Sequence, residues 1–171
     1  MLGHPLALRS TPGRGSMFEV SVPLAGPAAP ALAPEVRRAP LPGDWRHHGL
    51  VAMVVEDDLD MRRALTLLLE NWAVEVHAVG SAAEGLRRVE GGTRPHALLV
   101  DYQLGEGESG IEAIGLLRRA LGRVPARLVT ADRTAAFRHE ARRQGVEILQ
   151  KPIDPLMLHL FLGSVALARP T

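Results

Sequence analysis

Five polar side chains stand where apolar runs stop. Val51–Val55 runs into Glu56 and Asp57, Leu98–Val100 into Asp101, Leu128-Val129 into Thr130, and Ile148–Gln150 into Lys151-Pro152. If these runs are neighbouring parallel strands, all five side chains gather at one sheet edge, as three carboxylates, a hydroxyl and an ammonium. Acids so crowded repel one another unless a divalent cation joins them, and hard oxygen donors suit Mg²⁺ or Mn²⁺. Asp101 would then be a nucleophile toward phosphorus, forming an aspartyl phosphate. Lys151 can pair with one phosphoryl oxygen and Thr130 can donate a hydrogen bond to another. Any one of these residues alone reads better as a surface charge or a helix cap. The set at consecutive strand ends reads as a metal-assisted phosphoryl-accepting site.

The elements that must position them follow from the hydrophobic pattern. Strands are expected at 50–56, 74–79, 96–101, 126–131 and 146–150. Helices are expected at about 59–72, 81–90, 110–121, 133–144 and 155–168. Asp58 or Asp60 can cap the first helix and Ser81 the second, and Gly145 stops the fourth. Five βα units give an α/β fold, a doubly wound parallel sheet with right-handed connections. Such sheets bind ligands outside the carboxyl ends of their strands.

Composition adds bounds. The chain has 171 residues, a net charge of +1, 46% hydrophobic residues and no cysteine. Disulfides are excluded, and the charge gives no general argument for nucleic-acid or membrane binding. No apolar run approaches the roughly 20 residues of a membrane span. The N-terminus lacks the pattern of a signal peptide, and a cytoplasmic location is expected.

Taken together, the motifs Val-Val-Glu56-Asp57-Asp58, Asp101, Thr130-Ala131 and Lys151-Pro152 resemble a response-regulator receiver domain over about residues 49–168. The resemblance implies a flavodoxin-like strand order 2-1-3-4-5 and transfer of phosphate to Asp101 from the phosphohistidine of a histidine kinase or histidine phosphotransfer domain, followed by hydrolysis. It implies that Asp57 and Asp101 ligate Mg²⁺ directly, that Glu56 acts through water, and that the Gln103 carbonyl completes the protein ligands. Gln103 and Asp132 would flank the site and tune hydrolysis. A cis Lys151–Pro152 bond is implied too. Two positions depart from the family pattern. Gly105 replaces the usual proline in a longer loop after Asp101, which should make that loop more mobile. Ile148 stands where a switch aromatic is common, so the resemblance does not carry over the usual output switch from Thr130.

The first 24 residues carry another resemblance. Two β-type runs, Pro5–Arg9 and Met17–Pro23, flank a glycine-containing turn. Gly13-Arg14-Gly15-Ser16-Met17-Phe18, followed by Val20, Val22 and Pro23, resembles the last glycine box and final strand of a histidine-kinase ATP-binding domain. Residues 25–44 are rich in alanine and proline and read as an extended linker. The implied organisation is a kinase remnant at 1–24, a linker at 25–48 and a receiver at 49–171, the C-terminal part of a hybrid sensor histidine kinase. The rest of the ATP site and a phospho-acceptor histidine box are missing here, so no ATP binding or autokinase activity is expected of this chain. The bland alternative is an N-terminal arm of no function.

Other signals compete. Gly105-Glu106-Gly107-Glu108-Ser109-Gly110 matches the dinucleotide pattern G-x-G-x-x-G, with Asp132 as a ribose contact. However, Glu106 and Glu108 would repel a pyrophosphate, and the glycines begin too far beyond Asp101 for the tight turn. A haloacid-dehalogenase-type phosphatase would place an acid where Gln103 stands. A receiver fold that never turns over phosphate, a pure interaction module, is the contrasting class. His139-Glu140 lacks the second histidine of a zinc helix, since position 143 is Arg, and reads as a solvated face. His47 and His48 are expected to be exposed, and Trp45 and Trp72 to pack. In the last helix Leu158, Leu162 and Val165 form a core stripe, leaving Leu156, Met157 and Leu160 for a homodimer or partner surface, or for packing by the linker or arm.

Overall fold

The computed structural model describes residues 5–11, 13, 15–22, 45–132 and 134–168. The alanine- and proline-rich stretch 25–44 lies outside them. The chain divides into two compact units, Met1–Pro40 and Leu41–Thr171.

In the first unit, β1 (Leu6–Thr11) and β2 (Gly15–Val20) pair antiparallel. The expected β-type runs are therefore present, each reaching further into the turn between them. Leu6 stands opposite Val20 and Leu8 opposite Phe18, so four apolar side chains share one face, and all are exposed. A two-stranded hairpin is marginal by itself.

The second unit alternates strand and helix: β3 (Val51–Val55), α1 (Leu59–Asn71), β4 (Glu75–Val79), α2 (Ala82–Glu90), β5 (Ala97–Asp101), the short pair β6 (Gln103–Leu104) and β7 (Glu108–Ser109), α3 (Gly110–Leu121), β8 (Ala126–Thr130), α4 (Ala135–Arg143), β9 (Glu147–Gln150) and α5 (Pro155–Leu167). The five long strands pair parallel in the order β4-β3-β5-β8-β9. In chain order that is 2-1-3-4-5, as expected of a doubly wound α/β sheet.

Alternation along each strand sends side chains to two cores. Met53, Val55, Leu98, Val100 and Leu128 join Ala113, Ile114 and Leu117 of α3 on one face. Ala52, Val54, Leu99 and Val129 join Leu65 and Leu69 of α1 and Leu158, Phe161 and Leu162 of α5 on the other. Burying each such leucine contributes about 1.5–3 kcal/mol. Because the central strands are covered on both faces, they read as continuous apolar runs.

The helix ends follow from local chemistry. Asp58 Oδ1 accepts the Met61 N–H at 2.8 Å and caps α1, and Ser81 caps α2 by accepting from Glu84. Gly145 follows α4 at φ +62°. The Lys151–Pro152 bond is cis.

One expectation is overturned. His48 is exposed, but His47 is only 6% exposed. Its N–H donates to the Trp72 carbonyl at 2.7 Å, and its ring nitrogen Nε2 lies 2.9 Å from Nδ1 of His159 on α5. The cause is non-local. Trp45 stacks on His159 at 4.1 Å and meets Trp72 edge-on at 5.5 Å, so both tryptophans pack as expected and enclose His47. On α5, Leu158, Leu162 and Val165 are buried as expected, together with Phe161, while Leu156, Met157 and Leu160 are about half exposed.

Candidate functional site

Each polar residue arrives at the strand edge by a separate route. Glu56 follows β3, and its N–H donates to the Val79 carbonyl at 3.1 Å, which extends the parallel ladder by one residue. Its side chain is buried, while that of Asp57 is exposed. Asp101 is the last residue of β5 and Thr130 the last of β8, and both are buried. Lys151 follows β9, where its N–H donates to the Thr130 carbonyl at 2.7 Å.

The structure brings these residues together. One carboxylate oxygen each of Glu56, Asp57 and Asp101 lie within 4.8 Å of one another. Lys151 Nζ donates to Asp101 Oδ1 at 2.7 Å and to Glu56 Oε2 at 3.3 Å. Thr130 Oγ1 accepts the Asp132 N–H at 3.0 Å, which leaves its own O–H available to donate. The Gln150 amide donates to the carbonyls of Thr130 and Asp132 and so fixes that corner. A cleft of about 410 Å³, lined by Glu56, Asp58, Asp60, Met61 and Lys151, opens beside the acids.

Electrostatics explains the pairing. Burial pushes the Glu56 carboxyl above its ordinary range, the charge of Asp101 pushes it further, and Lys151 opposes both. Burial alone would lower the Lys151 ammonium, but its hydrogen bond to Asp101 and the charges of Asp101 and Glu56 outweigh burial, and its pKa is raised. Two buried carboxylates thus share one ammonium, and the exposed Asp57 carboxylate stands beside them without it. This donor set fits a hard divalent cation, because it holds more negative charge than Lys151 neutralises.

The loop after Asp101 is built rather than open. Gln103 pairs with Ser109 and Leu104 with Glu108, around a single 3-10 turn at Gly105–Gly107. A Cβ at Gly105 would lie 3.2 Å from Asp57 Oδ2, so the glycine lets the loop pass close to that carboxylate. A Cβ at Gly110 would collide with the Asp101 carbonyl and come within 2.8 Å of Leu128. Its N–H donates to the Tyr102 carbonyl at 2.8 Å, bringing the start of α3 onto the end of β5. The G-x-G-x-x-G pattern therefore forms a hairpin followed by a close contact, not a tight strand-to-helix turn. No local signal in the sequence announces this packing role of Gly110.

Residues 52–162 match the model of the response regulator receiver domain. The chain belongs to that family. Nodulation protein W of Bradyrhizobium diazoefficiens is 34% identical over 121 residues, covering 64% of this chain and 51% of its own length. Sensor protein TorS of Escherichia coli is 30% identical over 154 residues, covering 90% of this chain and 16% of its own. The chain thus spans about half of the first relative and a small part of the second. A stretch of 154 residues in a chain of 171 begins at or before Phe18, so the TorS similarity extends back across the proline-rich stretch into the hairpin sequence. Among solved structures, a sensor protein from a Polaromonas species is 30% identical with a TM-score of 0.61, covering 69% of this chain and 96% of that one. The receiver family works in two-component signalling, where its members meet histidine kinases or phosphotransfer partners. Among the described residues no helix is long and apolar enough to cross a membrane.

Proposed function

We propose that this receiver accepts a phosphoryl group from a phosphohistidine onto Asp101 and then hydrolyses it. One observation carries the reading: three carboxylates converge within 4.8 Å, and Lys151 bridges two of them. An Asp101 carboxylate oxygen attacks phosphorus as the bond to the donor imidazole nitrogen breaks, and the departing ring, protonated on its other nitrogen, leaves as neutral imidazole. Lys151 follows the charge to a phosphoryl oxygen, and the Thr130 hydroxyl donates to another. Hydrolysis is attack of water on the same phosphorus, returning the Asp101 carboxylate and inorganic phosphate. Gln103 and Asp132 flank that approach and tune its rate.

Glu56, Asp57, Asp101 and the Gln103 carbonyl would hold Mg²⁺ or Mn²⁺. When bound, the ion neutralises the charge of the transferring group. Beryllofluoride with Mg²⁺ tests the reading. A bound fluoride signal by fluorine NMR, lost without Mg²⁺, is expected, and its absence from the wild-type chain contradicts the proposal.

We further propose that the chain is part of a hybrid sensor histidine kinase in the cytoplasm. The span of the TorS similarity supports this reading, as does the order of hairpin, proline-rich stretch and receiver. Residues 1–24 would then be the end of an ATP-binding domain, and residues 25–48 the linker. Output would pass through protein partners, with Leu156, Met157 and Leu160 of α5 available to a second copy or partner.

A further inference from the structure

Arg62 lies in the first turns of α1 and turns back toward the acids. Its Nη1 donates to the Glu56 carbonyl at 2.6 Å and reaches the Asp57 carbonyl at 3.5 Å. The Arg62 N–H donates to the Asp58 carbonyl at 2.9 Å, and the Asp58 side chain caps the same helix. Residues 56–62 therefore close a ring, joined at one end by the guanidinium and at the other by the helix. The opposite side of Glu56 is held by the Val79 carbonyl.

The neighbouring strand end makes room for this arrangement. A Cβ at Gly80 would lie only 3.1 Å from Arg62 Nη1. The Gly80 N–H is tied at 2.9 Å to Glu84 Oε2, which fixes the glycine beside the guanidinium.

We infer that Arg62 is a positioning residue, which pins the main chain of Glu56 and Asp57 so that their carboxylates face Asp101. This rests on the metal-assisted reading of the site above. Arg62 touches carbonyls rather than carboxylates, so it acts through the geometry of the acids. Its charge works in the opposite direction, since a fixed cation near a divalent ion repels it. The two effects predict opposite signs on removal. Lost charge alone would tighten metal binding, and lost positioning weakens it.

Calorimetric titration of the full chain with Mn²⁺ separates them, with thermal melts run beside it. Arg62→Met keeps the apolar stem and removes the hydrogen bonds, and it is expected to weaken Mn²⁺ binding about tenfold, the scale of one charge-assisted hydrogen bond. Arg62→Lys, with a single point donor, is expected to weaken it about threefold. Arg63→Ala on the exposed side of the same turn removes the same charge and should leave affinity unchanged or slightly tighter. Either Arg62 variant binding Mn²⁺ as tightly as wild type, or more tightly, overturns the inference even if its melting temperature falls. A wild-type chain that takes up no Mn²⁺ overturns both this inference and the metal reading beneath it.

Discussion

Two polar clusters face different problems in the same unit. At the carboxyl ends of the strands, Glu56, Asp57 and Asp101 crowd three acids together, and one ammonium pairs with two of them. At the entrance to β3, His47, His159, Trp45 and Trp72 gather four aromatic rings, and the two imidazoles among them meet nitrogen to nitrogen. The second cluster completes itself, because a neutral imidazole offers one donor and one acceptor. The first is left with surplus negative charge. Self-completion marks a structural cluster, and unbalanced charge at converging strand ends marks a site prepared for something to arrive.

The comparison can be broken at its supports. Gly110→Val should have the largest effect, since the new side chain meets the Asp101 carbonyl and Leu128. A loss of about 2–4 kcal/mol in urea unfolding is expected, the scale of a backbone collision in a packed core. Next is Lys151→Ala, which removes the ammonium shared by Glu56 and Asp101. Beryllofluoride affinity should fall about 10- to 100-fold while the fold survives, the range expected for losing one preorganised charge. Retained affinity would detach Lys151 from the site.

The aromatic cluster should respond in the reverse way. His47→Ala is expected to cost about 1–3 kcal/mol of stability by urea unfolding and to leave beryllofluoride affinity unchanged. Its pH dependence sharpens the contrast. Burial, and then the neighbouring His159, hold His47 below its ordinary value of 6.5. The unfolded chain therefore takes up this proton more readily than the folded one. Stability should decline as pH falls below about 6.5, level off below the folded value, and lose part of that decline in the His47→Ala variant. The smallest effect should come from Leu160→Glu, outside both clusters, at under about 0.5 kcal/mol as for an exposed position. Sedimentation of this variant also tests the α5 surface, because an unchanged particle mass excludes a dimer there.

What the sequence made legible follows the range of the interactions. Strands buried on both faces announce themselves as apolar runs, and each run's polar terminus is local to it, so the sequence alone places Glu56, Asp101, Thr130 and Lys151 at one edge. Caps such as Asp58 and Ser81 act within three residues and were equally readable. His47 was not, because its burial depends on His159, 112 positions away, and on tryptophans brought together only by folding. The close approach of Gly110 to Asp101 was hidden for the same reason. Arg62 acts locally, but a side chain donating to main-chain carbonyls leaves no mark in residue spacing.

The central claim is that Asp101 takes the phosphoryl group. Incubating the chain with acetyl phosphate and Mg²⁺, followed by peptide mass spectrometry, tests it most directly. A phosphoryl adduct is expected on the peptide containing Asp101, lost when Mg²⁺ is chelated and absent from Asp101→Asn. An adduct that persists in Asp101→Asn, or a wild-type chain that forms none, contradicts it.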